Sequence, residues 1–320
     1  METEVLPWHQ EHWQRLALQI ESGTLPHALL IAGPPMSGKQ MIADALTSRL
    51  MCQEPDSPCG TCHQCHLVAA GTHPDILLLT LENSKQILID QVRNMIDWAG
   101  QTAQQGGRKV CTINPADRLN VQSANALLKC LEEPPAGTSI LLVTDQPGRL
   151  LPTIRSRCQM VNCQLPERNE AVAWLSSRNE TGVDSSLLLD IAGGVPLRAS
   201  QAITPEHLEL RRQLAGKLRD VISGSGSSIQ LVAGLARSDP AEVLDIAYNL
   251  IADAVGYKLA RGAGCRNADL ANDIKKIAEE VSVERQFQLL ERIARAKGIL
   301  GGTSNANPQM LLEWLFSDSA

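Results

Sequence analysis

Gly33-Pro34-Pro35-Met36-Ser37-Gly38-Lys39-Gln40 follows an apolar run and opens a helical pattern. Two glycines and a lysine at this spacing, in this context, form a phosphate loop. Backbone N–H groups cradle phosphate oxygens, and the Lys39 ammonium reaches the terminal ones. Gly33, Gly38 and Lys39 are therefore the candidate nucleotide-binding residues, against the plainer alternative of a Gly-Pro turn that happens to carry a lysine. One position departs from the pattern. The residue after the lysine should be Ser or Thr, whose hydroxyl holds Mg²⁺, and Gln40 places a longer amide there.

The other half of such a site belongs at the end of a later strand, where an acidic pair holds the metal shell and activates water. The apolar run 110–113 ends instead in Asn114-Pro115-Ala116-Asp117. Asn114 brings no charge to a metal, and Pro115 brings neither charge nor base. Asp117 lies three residues on, where a turn residue or a helix cap is expected. Two independent departures predict loss of hydrolysis. The intact glycines and Lys39 leave nucleotide binding open.

Cys52, Cys59, Cys62 and Cys65 form C-x6-C-x2-C-x2-C around Pro55, Pro58 and Gly60. Four thiolates on one tight loop suit a structural, tetrahedral Zn²⁺. Cys62-His63-Gln64-Cys65-His66 also satisfies the C-x-x-C-H pattern of covalent haem attachment. That reading would need export and would leave Cys52 and Cys59 without a role, so zinc is preferred. His63 and His66 remain as alternative ligands that spacing does not separate. The loop 52–66 holds no Lys or Arg, which argues against a zinc-dependent grip on DNA phosphates. Cys111, Cys130, Cys158, Cys163 and Cys265 are scattered and read as packed or partly exposed thiols.

The elements that would position these groups alternate along the first half. Apolar runs at 27–32, 75–80, 109–114 and 139–145 read as strands buried on both faces. Helical patterns at 40–50, 86–99 and 122–133 lie between them, which predicts a parallel sheet covered by helices on both sides. A short strand at 159–164 closes the region. Beyond Pro166 the pattern is helical: 167–177 and 185–192, a Gly193-Gly194-Val195-Pro196 break, then 207–221, 229–236, 241–261, 270–278, 283–296 and 308–316. The expected organisation is an α/β domain over 1–165 with a metal-binding insertion at 52–66, a small helical domain over 166–205, and a helical bundle over 206–320.

With 43% hydrophobic, 20% charged and only 3% aromatic residues, the core must rest on aliphatic side chains. A formal net charge of −6 argues against a chain whose main task is holding nucleic acid alone. No secretion signal and no membrane-length apolar run are visible, so a cytoplasmic protein with reduced thiols and no membrane contact is expected.

Three segments together resemble the bacterial clamp-loader AAA+ family. They are the cysteine insertion followed by Gly71-Thr72-His73-Pro74-Asp75; the run Asn125-Ala126-Leu127-Leu128-Lys129-Cys130-Leu131-Glu132-Glu133-Pro134-Pro135; and Ser156-Arg157-Cys158 after Leu151-Pro152-Thr153-Ile154-Arg155. The resemblance spans residues 25 to 165. It implies a P-loop AAA+ domain, a helical lid and an all-α collar. Gln40 and Asn114-Pro115 place the chain with the family's members whose ATPase motifs have decayed. The resemblance implies that Arg157 reaches into the ATP site of a neighbouring motor subunit. It further implies gamma/tau-type motor subunits and a delta subunit as partners in a hetero-pentamer. That assembly loads a sliding clamp on primer-template DNA within a polymerase holoenzyme, and this chain hydrolyses nothing itself. From residues alone, Arg155 and Arg157 near a helix end are more often solvated or paired with the last carbonyls than engaged in a neighbour's site. Arg198, near Gly194, sits one position late for the family's second sensor. The competing enzyme reading is a weakly active autonomous AAA+ ATPase.

Overall fold

The computed structural model describes residues 4–54, 58–82, 84–105, 107–179, 181–222, 225–227, 234–235, 238–260, 265–300 and 307–317. The chain divides into two compact units, Met1–Glu170 and Ala171–Ala320.

The first unit is built on five parallel strands: β1 (Ala28–Ala32), β2 (Ile76–Leu79), β3 (Lys109–Ile113), β4 (Thr138–Thr144) and β5 (Gln159–Asn162). Their spatial order is β2-β3-β4-β1-β5, with Leu30 of β1 paired to Leu142 of β4 on one side and Met160 of β5 on the other. Every residue of β1, β3 and β4 is buried. That is why these strands read as mostly apolar runs rather than as alternating ones.

Successive side chains of a strand point to opposite faces, and the two faces form two separate cores. Leu30, Ile113, Ile140 and Leu142 pack with Val92 and Met95 of α4 (Ile89–Ala99) and Leu127 and Leu131 of α5 (Val121–Glu132). Leu29, Ile31, Leu141 and Val143 pack with Leu16 of α1 (Gln10–Glu21), Ile42 and Leu46 of α2 (Lys39–Met51) and Val68 of α3 (His63–Ala70). The expected sheet covered on both faces is the one observed. Sequence periodicity did not pick out α1 or α3. The amphipathic N-terminal segment forms α1, and α3 is a short helix within the cysteine-rich segment. A four-residue turn of helix, α6 (Pro152–Arg155), starts at a proline and places Arg157 just beyond its end.

Helix α7 (Arg168–Ser176) crosses the boundary between the units. The second unit continues with α8 (Ser185–Ile191), α9 (Pro196–Ala202), α10 (Pro205–Ile222), α11 (Pro240–Leu259), α12 (Ala271–Glu280), α13 (Val283–Leu300) and α14 (Pro308–Ser317). Its core joins Leu214 and Leu218 of α10 to Ala247 and Leu250 of α11, Ile274 and Ile277 of α12, Ile293 of α13 and Leu315 of α14. The Gly-Gly-Val-Pro break is a boundary where α9 begins, with Pro196 in its first turn. The expected helix at 229–236 lies almost wholly outside the described residues. Among the described residues no helix is long and apolar enough to cross a membrane.

Candidate functional site

Because all five strands are parallel, the segments that follow β1, β3 and β4 emerge at one end of the sheet. Ligands of open α/β sheets gather at that end. Residues far apart in sequence meet there.

The loop after β1 has the backbone of a phosphate loop. Gly38 lies in the left-handed region at φ 92°, and a Cβ there would come within 2.3 Å of Leu6 Cδ1. A Cβ on Gly33 would lie 2.2 Å from the Cys163 carbonyl oxygen, so both positions require glycine. The N-terminal segment seals the loop from behind. Leu6 is buried, and both Trp8 Nε1 (3.3 Å) and His9 Nε2 (2.7 Å) donate to the Ser37 carbonyl. Burial lowers the His9 pKa from its ordinary value, which fits a neutral ring with its proton on Nε2.

Lys39 is committed to its own chain. Its Nζ donates to the Pro34 carbonyl at 3.0 Å and forms an ion pair with Asp145, just past β4. Asp145 was not read as a site residue, although it ends the apolar run that predicted its strand.

The two departures from the ATPase pattern face each other. Asn114 Nδ2 donates to Gln40 Oε1 at 2.7 Å, and Gln40 Nε2 donates to Asp44 Oδ1 at 2.8 Å. A Thr hydroxyl and a carboxylate at these two positions would bracket a cation. Here two neutral amides satisfy one another. Asp117 lies in a 3-10 turn, where its carboxylate accepts from Thr144 Oγ1 at 2.7 Å. Gln40 and Asn114 themselves carry no charge for a metal and no base for water, and the carboxylate bonded to them is that of Asp44.

Cys52, Cys59, Cys62 and Cys65 converge, with all four sulfur atoms within 4.8 Å of one another. The pairs Cys52–Cys62 and Cys59–Cys65 are each 3.9 Å apart. Zn–S bonds of about 2.3 Å in a tetrahedron require sulfurs about 3.8 Å apart, so the residues fit a zinc ion. Backbone N–H groups of Cys59, Cys62 and Cys65 point at sulfurs of the loop at 3.3–3.5 Å, as around a metal thiolate. As free thiols they differ. Hydrogen bonds from Thr61 hold Cys59 down at about 6, and burial pushes Cys65 up to about 12. The cluster that forms contains cysteines alone; His63 and His66 are not in it. The other cysteines are packed: Cys111, Cys130 and Cys163 are buried and Cys158 and Cys265 half-buried. Burial pushes Cys158, Cys163 and Cys265 up to about 12.

Arg157 stands on the turn between α6 and β5, with its side chain 35% exposed. Its Nη1 donates to the Thr153 carbonyl at 2.9 Å, and its Nη2 lies 2.5 Å from Glu132 Oε1 at the end of α5. The carbonyl pairing is the one expected for an arginine at a helix end. Glu132 belongs to the Asn125–Pro135 run, and its partnership with Arg157 arises from packing of α5 against α6. In the second unit, Arg198 lies 3.8 Å from Asp245.

Comparison with known proteins bears on this combination of features. A family model described as DNA polymerase III, delta subunit, matches residues 8–167, and one for the C-terminal part of that subunit matches residues 205–318. The chain is 34% identical over 323 residues to DNA polymerase III subunit delta' of Pseudomonas aeruginosa, covering 98% of this chain and 96% of the relative. The chain belongs to the DNA polymerase III delta' family. The delta' subunit of Escherichia coli K12 is 33% identical, with 96% of this chain and 92% of the relative covered. A gamma subunit-related protein of DNA polymerase III from Thermotoga maritima has a similar fold (TM-score 0.51, 19% identity, 95% and 98% coverage). The fold is thus a parallel α/β unit followed by helices, and in this delta' family member the amides of Gln40 and Asn114 are bonded to each other beside the loop after β1.

Proposed function

We propose that this chain is the stator of a clamp loader. It keeps the ATPase architecture, hydrolyses no ATP, and supplies Arg157 to the ATP site of an adjacent motor subunit. The observation that carries this reading is the Gln40–Asn114 hydrogen bond, which takes up both metal positions with neutral side chains. Arg157 supports the second half: it is exposed, lies on the turn between α6 and β5, and sits in the Ser-Arg-Cys element. In trans, an arginine finger can contribute roughly a thousandfold or more in rate by stabilising charge on the transferring phosphoryl group.

On this reading residues 1–165 form the AAA+ domain, 166–205 the lid, and 206–320 the collar. The collar would hold the chain in a hetero-pentamer with gamma/tau-type motor subunits and a delta subunit, as part of a cytoplasmic polymerase holoenzyme. The assembly, rather than this acidic chain alone, would grip primer-template DNA and the sliding clamp. Cys52, Cys59, Cys62 and Cys65 would hold one structural Zn²⁺, whose bonds fold the 52–66 loop.

A weakly active autonomous ATPase is the second reading, favoured by the retained Gly33, Gly38 and Lys39. ATP turnover by the isolated, purified chain separates the two. The stator predicts only background hydrolysis, unchanged by Lys39→Ala. Turnover of about 1 per second or faster that disappears in Lys39→Ala would establish the autonomous ATPase instead.

A further inference from the structure

Asp75 is fully buried, and neither the phosphate loop nor Arg157 uses it. Its two oxygens each accept a backbone N–H, from Gln104 and from Gln105, both at 2.8 Å. Its own N–H donates to His73 Nδ1 at 3.1 Å, so the ring proton lies on Nε2, which donates to Gln64 Oε1 at 2.8 Å. Gln64 stands on α3 between Cys62 and Cys65. Its amide nitrogen also lies 3.5 Å from Gln105 Oε1.

One chain of hydrogen bonds thus runs from the cysteine cluster to residues 104 and 105, buried from Gln64 to Asp75 and part-buried where it meets 104 and 105. Gln64, His73 and Asp75 are all under one-tenth exposed. Between Gln64 and Asp75 a broken link leaves a buried polar group unpaired, at a cost of about 1–3 kcal/mol. The near end is otherwise held by Val68 in the sheet core and by packing on α2. Helix α3 spans eight residues and buries only Gln64, Cys65 and Val68. A helix that short does not persist without outside anchoring. At the far end, residues 101–103 wall a cleft of about 380 Å³ with Lys109 and Pro135 at the base of the sheet.

We propose that the four-cysteine loop controls the order of residues 101–105 through Gln64, His73 and Asp75, so that loss of its metal loosens that wall of the cleft. Gln64 and His73 are positioning residues in this account. The inference rests on the zinc reading, and the test separates the two. Hydrogen exchange is followed on the full chain before and after chelation, with zinc counted on the same samples. Amides 104 and 105 are expected to exchange about tenfold faster without metal, while those of β1 and β4 stay protected. Gln64→Leu is expected to retain about one equivalent of zinc and still release amides 104 and 105. Asp75→Asn should do the same; if it fails to fold, Gln64→Leu decides. Unchanged exchange at 104 and 105 after zinc removal, or in a zinc-loaded Gln64→Leu, overturns the coupling. A folded wild-type chain without zinc overturns the metal reading, and Gln64→Leu then still reports whether the hydrogen-bond chain holds residues 104 and 105.

Discussion

Asn114 donates to Gln40 across 2.7 Å, so the side chains standing at the two metal positions of an ATPase site are bonded to each other. The defect is therefore a built contact rather than a pair of unrelated losses. Asn114→Leu should lower stability by about 0.5–1.5 kcal/mol, the worth of one partly buried hydrogen bond, seen as a shift in denaturant midpoint at constant slope. The double variant Gln40→Thr, Asn114→Asp should bind ATP more tightly in the presence of Mg²⁺ than in its absence. It should still show no turnover, because Pro115 supplies no base.

Lys39 is held by Asp145 and by the Pro34 carbonyl. A phosphate must displace the carboxylate to reach the ammonium. Asp145→Asn should raise the affinity for ATP about fivefold, the scale of one partly exposed ion pair near 1 kcal/mol. Titration calorimetry on wild type and variant measures it, and equal affinities would show that Asp145 does not guard the loop.

Zinc should be present at about one equivalent by elemental analysis. Cys59→Ser should lower that content and destabilise α3 while the parallel sheet persists. A folded, metal-free wild-type chain with all four thiols titratable would refute the site.

His9 links the N-terminal segment to the phosphate loop, and burial lowers its pKa below the ordinary 6.5. His12, whose ring centroid is 6.3 Å away, lowers it further when charged. The unfolded chain therefore takes up a proton near pH 6.5 that the folded chain refuses. The His9 contribution is fully present above that pH and is lost as pH falls through it, by at most about 1.4 kcal/mol per pH unit. His9→Gln, which keeps a donor for the Ser37 carbonyl, should flatten the fall in melting temperature between about pH 7 and 5.

Much of the fold was legible because its elements carry their signals locally. The runs at 27–32, 109–114 and 139–145 are mostly apolar because β1, β3 and β4 are buried on both faces. Lys39, Gln40 and Asn114 were legible because motif spacing fixes them, and the four cysteines because metal geometry demands that spacing. The partners were not. Asp145, Glu132, His9 and Gln64 reach their sites only through strand order and helix packing, and nothing in their local sequence distinguishes them from solvated residues. Helix α3 was hidden for a related reason: its position depends on thiols and a buried glutamine more than on an apolar stripe.

On the stator reading proposed above, the chain has given up hydrolysis and acts through Arg157 in a neighbour's site. The most direct measurement is DNA-stimulated ATP hydrolysis by the reconstituted assembly carrying Arg157→Ala, with subunit composition checked on the same preparation. The account predicts intact assembly and depressed hydrolysis, the facing site losing roughly a thousandfold. An intact assembly with unchanged DNA-stimulated hydrolysis would contradict it.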